Sequence, residues 1–265
     1  MSAAPRPCDG KPPAATLWRG HADGLLRALP GHSIDLLVTD PPYSSVDRAS
    51  SDGAHLQRWF GGSMGWPEIG RTLRLARSRL RPTGLALVMV NQAGLEAALH
   101  AVRAAGFAEP VRVITWDRRW PGLGGGLRHR TEYILVGRLP ASRPLAGEDL
   151  VSVAAVGPGT AGRYPTQKPD GLGRLLARMA GVRRGDTVVD PFCGSGALLV
   201  GAAERGATVI GSDISAAAVR LASKRLAAAA PRPPSSLEGR RRPGAAGASR
   251  NSARGGTRPT KGTRR

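Results

Sequence analysis

Cysteine is scarce in this chain of 265 residues, with Cys8 and Cys193 the only two. One lies in the N-terminal stretch and the other in a glycine-rich turn. Neither a disulfide framework nor a zinc cluster is expected, and a reducing cytoplasm is the compartment that fits. Long apolar runs are missing too. No stretch approaches the roughly 18 to 20 apolar residues that span a bilayer, and Met1 to Pro13 lacks the apolar centre of a signal peptide, so membrane insertion and export are not expected. His55, His100 and His129 stand at no metal-ligand spacing, and no metal site is expected. Acidic residues are also few: 19 Asp and Glu face 39 Lys and Arg, a net charge of +20. That excess favours a polyanionic partner such as nucleic acid, although the abundance of Arg, Ala, Gly and Pro that GC-rich coding produces would raise the charge as well.

What is present is an alternation of strand and helix patterns. Strands are predicted over Thr16 to Arg19, Ser33 to Asp40, Leu85 to Val90, Val111 to Trp116, Thr131 to Val136, Thr187 to Asp190 and Thr208 to Asp213. Helices are predicted over Asp23 to Leu29, Pro67 to Leu80, Leu95 to Ala105, Pro169 to Ala180, Ala197 to Arg205 and Ala216 to Ala229. This order indicates an α/β fold with a mostly parallel central sheet and helices on both faces. One catalytic domain over residues 15–230 accounts for the length. Residues 1–14 read as a flexible N-terminus. From Pro231 to Arg265, large apolar residues are almost absent, while ten Lys and Arg face only Glu238, so 10 − 1 = +9 of the charge lies there. Such a segment cannot bury enough surface to offset its ordering entropy and is expected to be a disordered basic tail.

Two turns carry the chemistry. Asp40-Pro41-Pro42-Tyr43 ends one apolar run, and Asp190-Pro191-Phe192-Cys193-Gly194-Ser195-Gly196 ends another and opens a helix. The first offers a carboxylate, a stiffened backbone carbonyl and an aromatic face, which suit a flat aromatic amine. The lone pair of an exocyclic amino group is delocalised into its ring. Acceptors on its N–H groups let the nitrogen pyramidalise toward an electrophilic methyl. An ordinary strand-ending turn is the plainer alternative. The second turn puts backbone N–H groups and a positive helix end beside a ligand, with Asp213 at the end of the next strand able to take ribose hydroxyls. Leu199 stands where a dinucleotide fingerprint wants its third glycine, so a nucleoside cofactor is favoured over NAD. Cys193 lies inside this turn and reads as a small packing residue rather than a nucleophile.

Asp40 to Tyr43, Tyr164-Pro165-Thr166-Gln167-Lys168-Pro169, and Asp190 to Gly196 followed by Gly211-Ser212-Asp213 resemble the catalytic, tenth and first-and-second motifs of the DNA amino-methyltransferases, in the circularly permuted order of their β group. The turn Arg79 to Gly84 and the stretches Ile114 to Asp117 and Arg128 to Val136 fit the same pattern, and the resemblance covers about residues 15–229. It implies a Rossmann-like methyltransferase fold, S-adenosylmethionine as cofactor and methylation of a flipped base in double-stranded DNA, most often adenine N6. Cytosine N4, RNA or a protein amide are alternative substrates, and a catalytically silent DNA-binding protein is the alternative of another class. By position, Asp40, Pro41, Pro42 and Tyr43 would be catalytic. Asp190, Phe192, Gly194 and Gly196 would hold the cofactor's methionine half, Asp213 its ribose and Ile214 its adenine, while Thr166, Gln167 and Lys168 would close over the methionine end. Gly20-His21 replaces the usual Gly-Asp, with Asp23 two residues on. Thr131 likewise stands where the family often has His.

Flipping a base costs a few kcal/mol that protein contacts must offset. Arg118, Arg119, Trp120, Arg128 and Arg130, in a loop rich in cations and glycine, are the expected DNA contacts, with Arg48, Arg58, Trp59 and Phe60 as a second group. Residues 140–163 are the expected target-recognition segment, too short for an independent domain. Recognition shared with a second subunit of a homodimer, and a cognate restriction endonuclease as partner, stay open.

Overall fold

The structure is a computed structural model that describes residues 15–43, 63–119, 121, 128–146, 153–156 and 167–230. The N-terminal stretch 1–14, the tail 231–265 and the group Arg48, Arg58, Trp59 and Phe60 lie outside the described residues, as do Trp120 and Thr166.

Eight strands form one sheet: β1 (Ala15–Arg19), β2 (Ile34–Thr39), β3 (Leu80–Val90), β4 (Arg112–Asp117), β5 (Thr131–Arg138), β6 (Val153–Ala155), β7 (Thr187–Asp190) and β8 (Thr208–Asp213). Their spatial order is β1-β8-β7-β2-β3-β5-β4-β6. Neighbours run parallel except β5, which is antiparallel to both β3 and β4. The sheet is buried on both faces, which is why its strands read as continuous apolar runs rather than alternating ones. On one face Leu37, Val88, Leu135 and Val189 pack against α1 (Ala22–Ala28), α2 (Trp66–Arg77) and α3 (Leu95–Ala104) through Leu26, Leu73 and Val102. On the other, Leu36, Leu87, Ile134 and Val188 meet α4 (Asp170–Met179), α5 (Val200–Glu204) and α6 (Ala216–Ala229) through Leu176, Ala203 and Leu226. Among the described residues no helix is long and apolar enough to cross a membrane.

The predicted elements are present with boundaries displaced by a few residues, and three departures have physical causes. The strand expected from Leu85 begins at Leu80, because Leu80 pairs with Ile34 before the register shifts and Arg81 to Gly84 bulge outward. The helix expected over Ala197 to Arg205 is a 3-10 turn, Ala197–Leu199, continuing into the short α5. β6 was not expected at all. It adds a parallel edge strand beside β4 within the expected recognition segment. Earlier in that segment, the Arg143 N–H donates to Thr83 O (2.9 Å) and its guanidinium pairs with Asp186 (2.8 Å). These contacts fasten the segment to the N-terminal ends of β3 and β7, opposite the strand ends where Asp40 lies.

Asp35, half-buried in β2, finds its partners on neighbouring strands, accepting from Thr187 N–H (2.9 Å) and pairing with Arg81 (3.3 Å). The tightest crossing is between α4 and the segment after the 190–196 turn. A Cβ on Gly173 would stand 2.3 Å from Ala197 O, and one on Gly201 2.4 Å from Arg174 Cα. Glycine at both positions lets two backbones touch, which fixes where the residues just before α4 lie.

Candidate active site

β2 and β7 pair side by side, Leu36 with Val188 and Leu37 with Val189. From β2 the chain moves to β3 on one side, and from β7 to β8 on the other. Open α/β sheets bind ligands outside the strand C-termini where the connections diverge in this way. Both Asp-Pro turns leave the sheet there, joined by a hydrogen bond in which Thr39 Oγ1 donates to Asp190 Oδ1 (2.9 Å).

Asp190 is 1% exposed and its Oδ1 also accepts from Phe192 N–H (3.0 Å), so the carboxyl holds the turn from beneath. Burial, with lesser contributions from Asp40 and Asp213, pushes its pKa up to about 7. Asp213 anchors the turn from the side: Gly194 N–H donates to its Oδ2 (3.0 Å) and Ser215 N–H to its Oδ1 (2.8 Å). Burial raises this carboxyl as well. Gly196 adopts a left-handed φ of 78°, and a Cβ there would meet Ala222 Cβ at 3.0 Å. Phe192 is half-buried, and Ile214, 38% exposed, is the only exposed large hydrophobic among the described residues. Cys193 packs against Gly211, where a Cβ would lie 2.9 Å from its own, and burial pushes its thiol well up. It is a packing residue.

At the other turn, Tyr43 N–H donates to Pro41 O (2.8 Å), which leaves that carbonyl one lone pair, and Met64 N–H donates to Pro42 O (2.7 Å). The Tyr43 ring stacks on Trp66 with centroids 5.6 Å apart and planes 16° from parallel. Trp66 therefore covers one face of the tyrosine. Gly94 makes room for Trp66, since a Cβ there would lie 2.8 Å from the indole Nε1. Burial pushes the Tyr43 hydroxyl pKa up, and the nearby Asp40 charge adds to it.

Asp40 does not stand alone. Its Oδ2 is bound by the Lys168 ammonium, and its Oδ1 is buried with no hydrogen-bond partner among the described residues. Lys168 Nζ also lies 3.7 Å from Glu132 Oε2, while Glu132 Oε1 accepts from Arg118 (3.1 Å). Burial pushes the Asp40 carboxyl up and Glu132 adds to that, whereas Lys168 opposes it. Burial disfavours charge on Lys168, yet Asp40 and Glu132 hold its ammonium above the ordinary lysine range. Lys168 was expected to close over the methionine end of a cofactor; its ammonium lies between the Asp40 and Glu132 carboxylates. Gln167 is half-buried, with Oε1 unpartnered among the described residues.

A family model for N6/N4 methyltransferases, described as DNA methylase, matches residues 139–224. The Type II methyltransferase M2.LlaDCHI of Lactococcus lactis subsp. cremoris is 30% identical over 240 residues, spanning 78% of this chain and 87% of that protein. This chain belongs to the DNA N6/N4 amino-methyltransferase family. M2.DpnII of Streptococcus pneumoniae, also a Type II methyltransferase, is 28% identical over 241 residues, 78% of this chain and 88% of its own length. A solved candidate DNA modification methylase of Thermus thermophilus, complexed with S-adenosyl-L-methionine, shares the fold. Its TM-score is 0.59 at 23% identity, over 82% of this chain and 96% of that one. The Rossmann-like methyltransferase fold expected from the motifs is thus the fold of the chain.

Two of the arginines expected to meet DNA are paired within the protein. Arg130 donates from Nε and Nη2 to both oxygens of Asp117 (2.6 Å each), and these bonds hold the Asp117 carboxyl down at about 2. Arg118 is committed to Glu132 and to the His129 carbonyl (2.8 Å). Both guanidiniums are held by carboxylates at the base of the β4–β5 hairpin, which leaves Arg119 and Arg128 exposed at that edge. Asp23 accepts from Thr72 Oγ1 (2.8 Å), and His21 is exposed at the start of α1. Sequence reasoning gave no role to Glu132, Thr39 or Trp66. A lone carboxylate opening the apolar run Tyr133 to Val136 is the signal that could have flagged Glu132.

Proposed function

We propose that this chain transfers a methyl group from S-adenosylmethionine to the N6 amino group of adenine flipped out of double-stranded DNA, with the motifs in the permuted β order. The observation that carries this reading is Asp40 Oδ1, a buried acceptor without a partner among the described residues, at the end of β2 beside β7. Such an atom is costly to leave unpaired unless a ligand's N–H completes it. A flipped base lying on the free face of Tyr43 would place its amino group against Asp40 Oδ1 and the remaining lone pair of Pro41 O, with Pro42 keeping the turn stiff. Asp rather than Ser before Pro-Pro-Tyr supports adenine over cytosine N4, as a tendency of the family.

The residues present fit the cofactor. Ile214 offers an exposed apolar face beside the partly buried Asp213, whose oxygens each hold one donor and keep a free lone pair for a ribose hydroxyl. Gly194 and Gly196, with φ of 49° and 78°, leave the turn without side chains next to Phe192. Gln167 Oε1, unpartnered among the described residues, would accept from the ammonium of the methionine end, with Thr166 beside it in sequence. Asp190 contributes by holding the turn. When bound, the cofactor supplies an electrophilic methyl group. The amino nitrogen, held by Asp40 Oδ1 and Pro41 O, would take that methyl group, with the carbon–sulfur electron pair leaving on sulfur. The nitrogen then sheds its surplus proton to Asp40 Oδ1, and from there to water.

The test is incubation of the purified protein with labelled S-adenosylmethionine and unmethylated duplex DNA of diverse sequence, followed by nucleoside analysis. Labelled N6-methyladenine that disappears in Asp40→Ala is the expected result. Label in N4-methylcytosine, in RNA or in protein would move the activity to that substrate, and no transfer at all would leave a silent DNA-binding protein.

A further inference from the structure

Four charged side chains from four separate parts of the chain meet beside the reaction centre: Asp40 after β2, Lys168 before α4, Glu132 opening β5 and Arg118 following β4. They alternate in sign, and three are largely buried, with side-chain exposures of 22% for Asp40, 12% for Lys168 and 14% for Glu132. We propose that Lys168 and Glu132 are positioning residues for Asp40: the Lys168 ammonium pins Oδ2 so that Oδ1 faces the incoming amino group, and Glu132 holds Lys168 in place. This inference rests on the reading of Asp40 as the acceptor.

The geometry argues against a merely structural ion pair. A buried ammonium costs several kcal/mol in lost hydration and is repaid only when its partners are well placed. Lys168 has two carboxylates for one charge, hydrogen-bonded to the first and 3.7 Å from the second. Among the described residues, the atoms of these four side chains left without hydrogen bonds are Asp40 Oδ1, Glu132 Oε2 and Arg118 Nε, all buried. Arg118 takes the far oxygen of Glu132, which makes the chain two negative and two positive charges, neutral as a whole. Lys168 also protects the chemistry required of Asp40. With Pro41 O taking one amino hydrogen, Asp40 Oδ1 must accept the other, and an ionised carboxylate does so more strongly than a protonated carboxyl, whose O–H competes as a donor. Asp40 sits in a buried site faced by Glu132, Asp190 and the Tyr43 hydroxyl, with Lys168 the only cation facing it among the described residues. Without that cation, burial and Glu132 would return the proton to Asp40.

The experiment compares wild type with Lys168→Met, Lys168→Arg and Glu132→Gln. The readouts are cofactor affinity by calorimetry, kcat at saturating cofactor and DNA, the pH profile of kcat, and the Asp40 carboxyl titration by carbon NMR. Lys168→Met is expected to lower kcat by about 100-fold at neutral pH, with cofactor Kd changed by less than about threefold. The acidic limb and the Asp40 titration should both move to higher pH. Lys168→Arg should recover about tenfold, since the charge returns with altered geometry. Glu132→Gln should lower kcat while moving both titrations to lower pH, because one carboxylate facing Asp40 has gone. A Lys168→Met enzyme with unchanged kcat and weakened cofactor binding would overturn the proposal in favour of a cofactor role. Titrations that do not move, with no recovery by Arg, would reduce the pair to a structural one. If wild type methylates nothing, the reading of Asp40 itself has failed; the NMR titration reports on Lys168 independently of activity.

Discussion

Replacing Asp190 by Asn should change how stability depends on pH, and the size follows from the site. The carboxyl is 1% exposed, and burial raises its pKa from 3.8 to about 7. Between those values the unfolded chain has lost its proton while the folded chain keeps it. The folded state therefore binds more protons, and its stability falls as pH rises through that window. The window spans roughly 7 − 3.8 = 3.2 pH units. At about 1.4 kcal/mol per unit, the burden is about 4 kcal/mol above pH 7 as an upper limit, and it vanishes below pH 4. Asn retains the oxygen that accepts from Thr39 Oγ1 and Phe192 N–H, so the turn keeps its anchor. Urea unfolding of both proteins at pH 5, 6, 7 and 8 gives the difference in stability, in which the other titrating groups largely cancel. Relative to wild type, Asp190→Asn should gain steadily with pH and level off above 7. A difference that stays flat from pH 5 to 8 would refute a buried, protonated Asp190.

Gly173→Ala should destabilise the protein by about 1–3 kcal/mol in thermal unfolding, because its Cβ meets Ala197 O at 2.3 Å and backbone cannot step aside. Gly24→Ala, in α1 with nothing within 4 Å of the added carbon, should instead stabilise by about 0.5–1 kcal/mol, measured in the same way. Trp66→Ala removes the ring stacked on Tyr43, a contact worth about 0.5–1.5 kcal/mol; steady-state kinetics on duplex DNA should show a several-fold loss in kcat/KM with cofactor affinity retained. Deleting residues 231–265 removes nine net positive charges, and salt titrations of DNA binding should show weaker affinity and a flatter slope. An unchanged slope would dismiss a role for the tail.

Most of the fold was legible in the sequence because its signals are local. Burial on both faces writes itself as apolar runs such as Leu85 to Val90, and the glycines of the 190–196 turn mark a strand-to-helix switch. β6 was missed because a three-residue edge strand carries no period to read. The ion pairs of the arginines in the β4–β5 hairpin were missed for another reason. A cation in a glycine-rich loop has the same sequence signature whether it awaits a phosphate or is held by Asp117 or Glu132.

The sequence by itself determined the α/β layering, the family and the two Asp-Pro turns, since each is a matter of residue type and spacing within one segment. Only the tertiary structure decided what surrounds Asp40. β5 runs against the other strands, so its first residues, not its last, reach the edge where β2 and β7 end, and Glu132 arrives there with them. The glycine crossing of α4 then sets Lys168 between the two carboxylates. Charges drawn from positions 40, 118, 132 and 168 compensate one another only in a buried site that no single stretch of the chain contains.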